Sequence, residues 1–120
     1  AISPWEKNMI KEVERSLQAA NLGFSISNDG NLIRAVTPPF TEERRKDYVK
    51  QIKNIGEDTK IALRNTRRDG NDNLKQMEKD KLISQDEEKV AQEHIQKVTD
   101  QHTDLVDELV AAKEKELMTL

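Results

Sequence analysis

The chain has 120 residues, of which 36% are charged, 34% apolar and 3% aromatic, and it has no cysteine. Cysteine-free composition excludes a disulfide framework and thiolate chemistry, and no apolar run approaches the roughly 20 residues that cross a bilayer. We expect one domain, or one domain with part of another, built mainly from long amphipathic helices in a cytoplasmic protein. A removed transit peptide would leave no trace, so a chloroplast or a mitochondrion remains an alternative.

The first 36 residues predict part of a small α/β domain. In "SPWEKNMIKEVERSLQAANLG", Ser3 suits a helix cap, Pro4 the first helical position and Gly23 the end. Two short strands are expected on either side of the turn 28–31. One helix and two strands do not close a sheet-based core, so we expect further strands before Ala1.

The segment 37–40 contains two consecutive prolines, Pro38 and Pro39, which disfavour helix before them and stiffen the backbone. The simpler interpretation is a loop that ends a strand. We favour a junction between two modules, because the composition changes sharply on either side of Thr37.

Residues 41–120 predict two long helices. The first is expected from Thr41 to about residue 80, roughly 60 Å long at 1.5 Å per residue. Gly56 and Gly70 lie on its apolar stripe, where another backbone could approach closely. The members of that stripe are Tyr48, Ile52, Ile55, Thr59, Leu63, Thr66, Leu74 and Met77.

The second long helix is expected to begin after a capping box of Ser84 and Glu87 and to run to about residue 118. Its apolar positions alternate by four and three, which predicts a coiled-coil seam. The seam consists of Ala91, Ile95, Val98, His102, Leu105, Leu109 and Ala112. A tight turn between two long helices makes them antiparallel. Since two helices leave much of each seam in water, we expect a third, from missing upstream sequence or from another chain.

Charge is distributed unevenly along the chain: residues 1–40 sum to zero, 41–83 to +3 and 84–120 to −6. On the first long helix, eight cations lie within roughly 60° of one direction at 100° per residue. They are Lys46, Lys50, Lys53, Lys60, Arg64, Arg67, Arg68 and Lys75. A rigid row of cations matches a phosphate backbone. The alternative is a solvated face paired with the acidic last helix, through Asp100, Asp104 or Glu108.

Catalytic and metal-binding patterns are weak in this sequence. His94 and His102 make a poor metal pair, and we expect His102 to be a hydrogen-bonded interface residue. There is no phosphate-binding glycine loop, nucleophile elbow or singled-out pair of carboxylates. We expect Trp5 to pack rather than to stack on bases. The sequence therefore predicts neither an enzyme nor a cofactor.

Several motifs together resemble the ribosome recycling factor family. They are "PPFTEERRKDYVK", "ALRNTRRDGND", "AAKEKELMTL" and "IKEVERSLQAANLGFSISNDGNLIRAV". The resemblance implies an L-shaped protein in which a small α/β domain is inserted between the first two helices of a three-helix bundle. It further implies a non-enzymatic factor that binds the large ribosomal subunit rRNA after termination and, with elongation factor G, separates the subunits.

Matched by position, the family's rRNA-binding arginines fall on Arg45, Arg64, Arg67 and Arg68. The hinge falls on Thr37, Pro38 and Pro39. The match implies the C-terminal two-thirds of the family's fold, without the first bundle helix and the opening strands. The competing hypothesis is a structural coiled-coil protein that homo-oligomerises through its helical seams.

Overall fold

The computed structural model describes residues 1–120. About 72% of the chain is helical, which confirms the mainly α class. A 3-10 turn at Lys7–Met9 is followed by α1 (Ile10–Ala19), β1 (Ser25–Asn28), β2 (Ile33–Val36), α2 (Glu42–Lys79) and α3 (Gln85–Thr119). The chain forms two compact units, Ala1–Phe40 and Thr41–Leu120. None of the helices combines the length and the apolar character that membrane crossing requires.

The first unit is organised around the antiparallel pair of β1 and β2, in which Ser25 lies opposite Val36 and Asn28 opposite Ile33. Ile33 is fully buried, and Ile10 of α1 is also buried. Ile2 forms two backbone hydrogen bonds with Ile33, each 2.8 Å long, on the other edge of β2. A single bridge thus extends the two-stranded ribbon, and the buried isoleucines form its small core.

The turn between the strands is held by Asp29. Its Oδ1 accepts hydrogen bonds from the backbone N–H groups of Asn31 and Leu32, both 3.0 Å long. Gly30 has a φ of +89°, which a residue with a side chain rarely adopts. The hydrogen bonds from Leu32 and Asn31 lower the pKa of the Asp29 carboxyl below its ordinary value.

Two predictions for the beginning of the chain are wrong. Ser3 does not cap a helix, because α1 begins at Ile10 after the 3-10 turn and has no side-chain cap. Pairing of Ile2 with the sheet holds the preceding segment extended, and this pairing outweighs the local capping preference. Trp5 does not pack, since it is 102% exposed.

The long helices begin where the sequence predicts. The Thr41 hydroxyl accepts a hydrogen bond from the N–H of Arg44 at the start of α2. Ser84 and Glu87 form the full capping box at the start of α3. Each cap satisfies N–H groups that have no partner inside the helix, so both starting points are fixed locally.

The helices α2 and α3 are antiparallel, as the positions of two glycines show. A Cβ built on Gly56 would lie 2.8 Å from Cγ2 of Val110, and one on Gly70 would lie 3.2 Å from Cδ1 of Ile95. The later glycine of α2 thus contacts an earlier residue of α3, as antiparallel helices require. The prediction that these glycines allow close approach is confirmed.

The contact between α2 and α3 is displaced from the predicted seams. Val98, Leu105 and Leu109 are 37%, 48% and 62% exposed. Of the predicted seam, Ala91 and Ile95 are partly covered; the other covered positions of α3 include Thr99, Thr103, Val106, Val110 and Leu117. The apolar face of α3 is wider than one neighbouring helix can cover, and the close approach at Gly56 places α2 over one flank of it. The other flank borders an open groove.

Candidate nucleic-acid interface

The basic side of α2 lies beside its contact with α3. Lys60 and Arg67 are half-buried at the contact, whereas Lys46, Lys50, Arg64, Arg68 and Lys75 are exposed. At 3.6 residues per turn, the exposed cations form a strip about 100° around α2 from the contact direction. We call these five residues the basic strip.

Lysines nearest the contact are paired with carboxylates of α3. Lys53 Nζ lies 3.2 Å from Glu114 Oε1, and Lys60 Nζ lies 2.5 Å from Asp107 Oδ1. Lys60 also contacts Glu57, at 3.3 Å. The hydrogen bond to Asp107, and to a smaller extent the one to Glu57, raises the pKa of Lys60 above its ordinary value. Part of the cationic row therefore serves helix pairing, through acids other than the predicted Asp100, Asp104 and Glu108.

Arg64, Arg67 and Arg68 are not bound to carboxylates. Arg67 Nη1 donates to Gln96 Oε1 at 3.2 Å, and Gln96 Nε2 donates to Asp100 Oδ1 at 2.8 Å. Arg68 Nη2 donates to Asn65 Oδ1 at 2.7 Å. Arg64 is exposed and forms no hydrogen bond or ion pair. Three guanidinium groups within a little more than one turn therefore keep their full charge.

Arg45 lies apart from the other three predicted arginines. Nineteen positions separate it from Arg64, about 28 Å along the helix axis. Its guanidinium donates to the carbonyl oxygens of Met118 and Leu120 near the end of α3. These carbonyls have no intrahelical partner, so Arg45 stabilises the last turn of α3.

An apolar groove lies on the opposite side of the helix pair from the basic strip. One part has a volume of about 490 Å³ and is lined by residues that include Leu63, Thr66, Val98 and His102. A second part of about 250 Å³ is lined by residues that include Ile55, Thr59 and Leu109. His102 Nδ1 contacts the carbonyl oxygen of Val98 at 2.8 Å, so His102 has the predicted hydrogen bond.

Exposed carboxylates border the groove. On α2, Asp47, Asp58 and Asp69 recur every eleven residues, about three helical turns, and so share one face beside the apolar stripe. The α2 rim of the groove is thus acidic, in contrast to the basic strip.

The predicted hinge residues Thr37, Pro38 and Pro39 lie between β2 and α2, outside any helix or strand. All peptide bonds in the chain are trans. No three His, Cys, Asp or Glu side chains lie close enough together to hold a metal ion.

Sequence reasoning missed Gln96. The spacing of Gln96 and Asp100 by four residues indicates an intrahelical pair, but it does not indicate an arginine partner. That partner depends on the register between α2 and α3, which the predicted seams placed differently.

Comparisons with known proteins agree on one family. The model of the family described as "Ribosome recycling factor" matches residues 1–118. A "Ribosome-recycling factor" of Myxococcus xanthus is 51% identical over 117 residues, which cover 98% of this chain and 63% of that protein. The one from Clostridium novyi is 46% identical over 119 residues, covering 99% and 64%.

A solved structure gives the same result. The "solution structure of the ribosome recycling factor" superposes with a TM-score of 0.69 and 36% identity, covering 98% of this chain and 62% of that one. This chain therefore spans a little under two thirds of the length of these relatives. These covered fractions do not support the expectation that this chain is the C-terminal part of the family's fold without its first bundle helix.

The resemblance stated from the sequence motifs is thus confirmed over nearly the whole chain. The matching family comprises translation factors that are not enzymes. This chain belongs to the ribosome recycling factor family.

Proposed function

We propose that this protein acts in ribosome recycling after termination by binding the rRNA of the large ribosomal subunit. Its relatives carry the name of that activity. The observation that carries the proposal is the group of Arg64, Arg67 and Arg68, whose hydrogen-bond partners are neutral amides or absent. Guanidinium groups that are not paired with carboxylates retain their forks for phosphate oxygens.

The basic strip provides the electrostatic context for these arginines. It runs along a single helix of 38 residues, so the spacing of its charges is fixed by backbone hydrogen bonds. Arg45 is a more distant candidate contact. Its guanidinium also holds the end of α3, so any contact with rRNA would have to use its remaining donors. The family resemblance suggests elongation factor G as the partner in this reaction. It also suggests the bacterial cytoplasm as the place of action, and no observation supports an organelle.

The test is binding of the protein to purified large ribosomal subunits at several salt concentrations. Arg64→Ala and Arg67→Ala should each weaken binding and reduce the slope of log affinity against log salt by about 0.7–0.9. Lys97→Ala is the matched control, because Lys97 is an exposed cation on a different face, on α3. If the arginine variants retain both affinity and slope, this surface does not bind rRNA.

We further propose that residues 37–40 act as a hinge between the two units. This segment has no helix or strand pairing to hold it. The chain has no cysteine, so Lys11→Cys and Asp72→Cys would supply two unique spin-label sites on exposed positions. A broad distribution of label distances is expected, and one narrow peak would contradict a hinge.

The apolar groove supports a further proposal, that an amphipathic helix with basic residues beside its apolar face covers it. The acidic α2 rim favours such a helix, supplied by additional sequence or by another chain. The same rim disfavours a second copy of this chain, which would bring Asp47 and Asp58 toward like charges. Sedimentation tests this point: a concentration-dependent dimer without affinity for ribosomes would favour the homo-oligomeric coiled coil instead.

A further inference from the structure

Arg67 is held differently from the lysines that cross the same helix contact. Lys53 and Lys60 meet carboxylates of α3, at 3.2 Å and 2.5 Å. Arg67 meets the side-chain amide of Gln96 instead, at 3.2 Å. A carboxylate would neutralise the guanidinium, whereas an amide oxygen fixes its position and leaves its charge available.

The orientation of the Gln96 amide follows from its two neighbours. Arginine only donates hydrogen bonds, and an ionised aspartate only accepts them. The amide between Arg67 and Asp100 therefore satisfies both only with Oε1 toward Arg67 and Nε2 toward Asp100, as observed. Asp100 thus orients Gln96 without forming an ion pair with Arg67.

We infer that Gln96 is a positioning residue for Arg67, oriented by Asp100, which presents the charged guanidinium to RNA phosphate. This inference rests on the proposed binding of rRNA by Arg67. The guanidinium has five N–H donors, so the bond to Gln96 leaves others for a phosphate. Holding the side chain in place reduces the rotamer entropy that binding would otherwise remove.

The experiment measures binding to purified large ribosomal subunits as a function of salt. Gln96→Ala should weaken binding about threefold to tenfold, the usual range for one lost hydrogen bond, with an unchanged salt slope because no charge is removed. Gln96→Glu should weaken binding and also lower the slope, since the new carboxylate would pair with Arg67.

Gln92→Ala is the matched control. Gln92 Nε2 donates to Glu88 Oε1 at 3.0 Å, so it forms the same type of intrahelical pair without an arginine. Its removal should leave binding unchanged. Thermal unfolding followed by circular dichroism should give similar midpoints for Gln92→Ala and Gln96→Ala, which separates positioning from loss of structure.

A double-mutant cycle identifies the route of the effect. Gln96→Ala should have no further effect on binding in a protein that already carries Arg67→Ala. An equal loss in both backgrounds, or unchanged or tighter binding by Gln96→Ala alone, would overturn the inference. If Arg67→Ala binds normally while Arg64→Ala does not, the inference fails and the proposed function stands. If both bind normally, the proposed function fails as well.

Discussion

Substitution of Gly56 tests how closely α2 and α3 approach. In Gly56→Ala the new Cβ would lie 2.8 Å from Cγ2 of Val110. That methyl belongs to a β-branched side chain with a stiff χ1, so it does not turn aside cheaply. Overpacking of this kind typically costs about 1–3 kcal/mol, while alanine gains about 1 kcal/mol of helix propensity over glycine. We expect a net loss of about 1 kcal/mol.

Gly70→Ala is the matched comparison within the same helix. Its new Cβ would lie 3.2 Å from Cδ1 of Ile95, the far end of a flexible side chain that can move by a few tenths of an ångström. Here the gain in helix propensity should prevail, and stability should rise by up to about 1 kcal/mol. The two alanine variants should thus differ by about 2 kcal/mol in the free energy of unfolding.

Thermal unfolding followed by circular dichroism at the helical band measures this difference. At about 4 °C per kcal/mol for a chain of this size, the midpoints should lie about 8 °C apart. Val110→Ala removes the methyl that Gly56→Ala would meet, so in that background Gly56→Ala should stabilise. If Gly56→Ala raises the midpoint as Gly70→Ala does, or costs the same with and without Val110, the close approach is wrong.

Three further predictions concern local interactions. Ser84→Ala removes the α3 cap and should cost about 1 kcal/mol in urea unfolding, with Ser16→Ala as the control, because the Ser16 side chain caps no helix. Because the folded pKa of Asp29 is lowered, its stabilising contribution exists above the unfolded value near 3.8 and disappears as pH falls through the folded value. The protection of amides in β1 and β2, taken relative to the intrinsic exchange rate at each pH, should therefore fall at acid pH, and Asp29→Ala should abolish this pH dependence. Because the folded pKa of Lys60 is raised, its contribution to stability is complete below about pH 10.5 and is lost as pH rises through the folded value. Lys60→Met should therefore remove this alkaline loss of stability from the pH dependence of unfolding. An unchanged profile would exclude Lys60 as the source of the loss.

The helical half of the fold could be predicted from local sequence features. Thr41, Ser84 and Glu87 determine where α2 and α3 begin, because capping depends only on residues within one turn. The first unit was less predictable. The backbone of Ile2 pairs with Ile33, thirty-one positions away, and no local pattern around Ser3 indicates that contact.

The candidate site was also only partly predictable, because one feature of it is local and the other depends on distant contacts. The cations of α2 share one sector because helical periodicity fixes it. Their partners on α3 depend on a register that the wide apolar face of α3 does not specify. The sequence therefore indicated an acidic partner helix, but not the choice of Asp107 and Glu114 for the lysines or of Gln96 for Arg67.

The bond between Arg45 and the last carbonyls of α3 has a practical consequence for anyone who handles this protein. A purification tag or fluorescent fusion appended after Leu120 would emerge beside the first turns of α2, where Arg45 lies. Such an extension would compete with that arginine for its acceptors and alter one of the four proposed rRNA contacts.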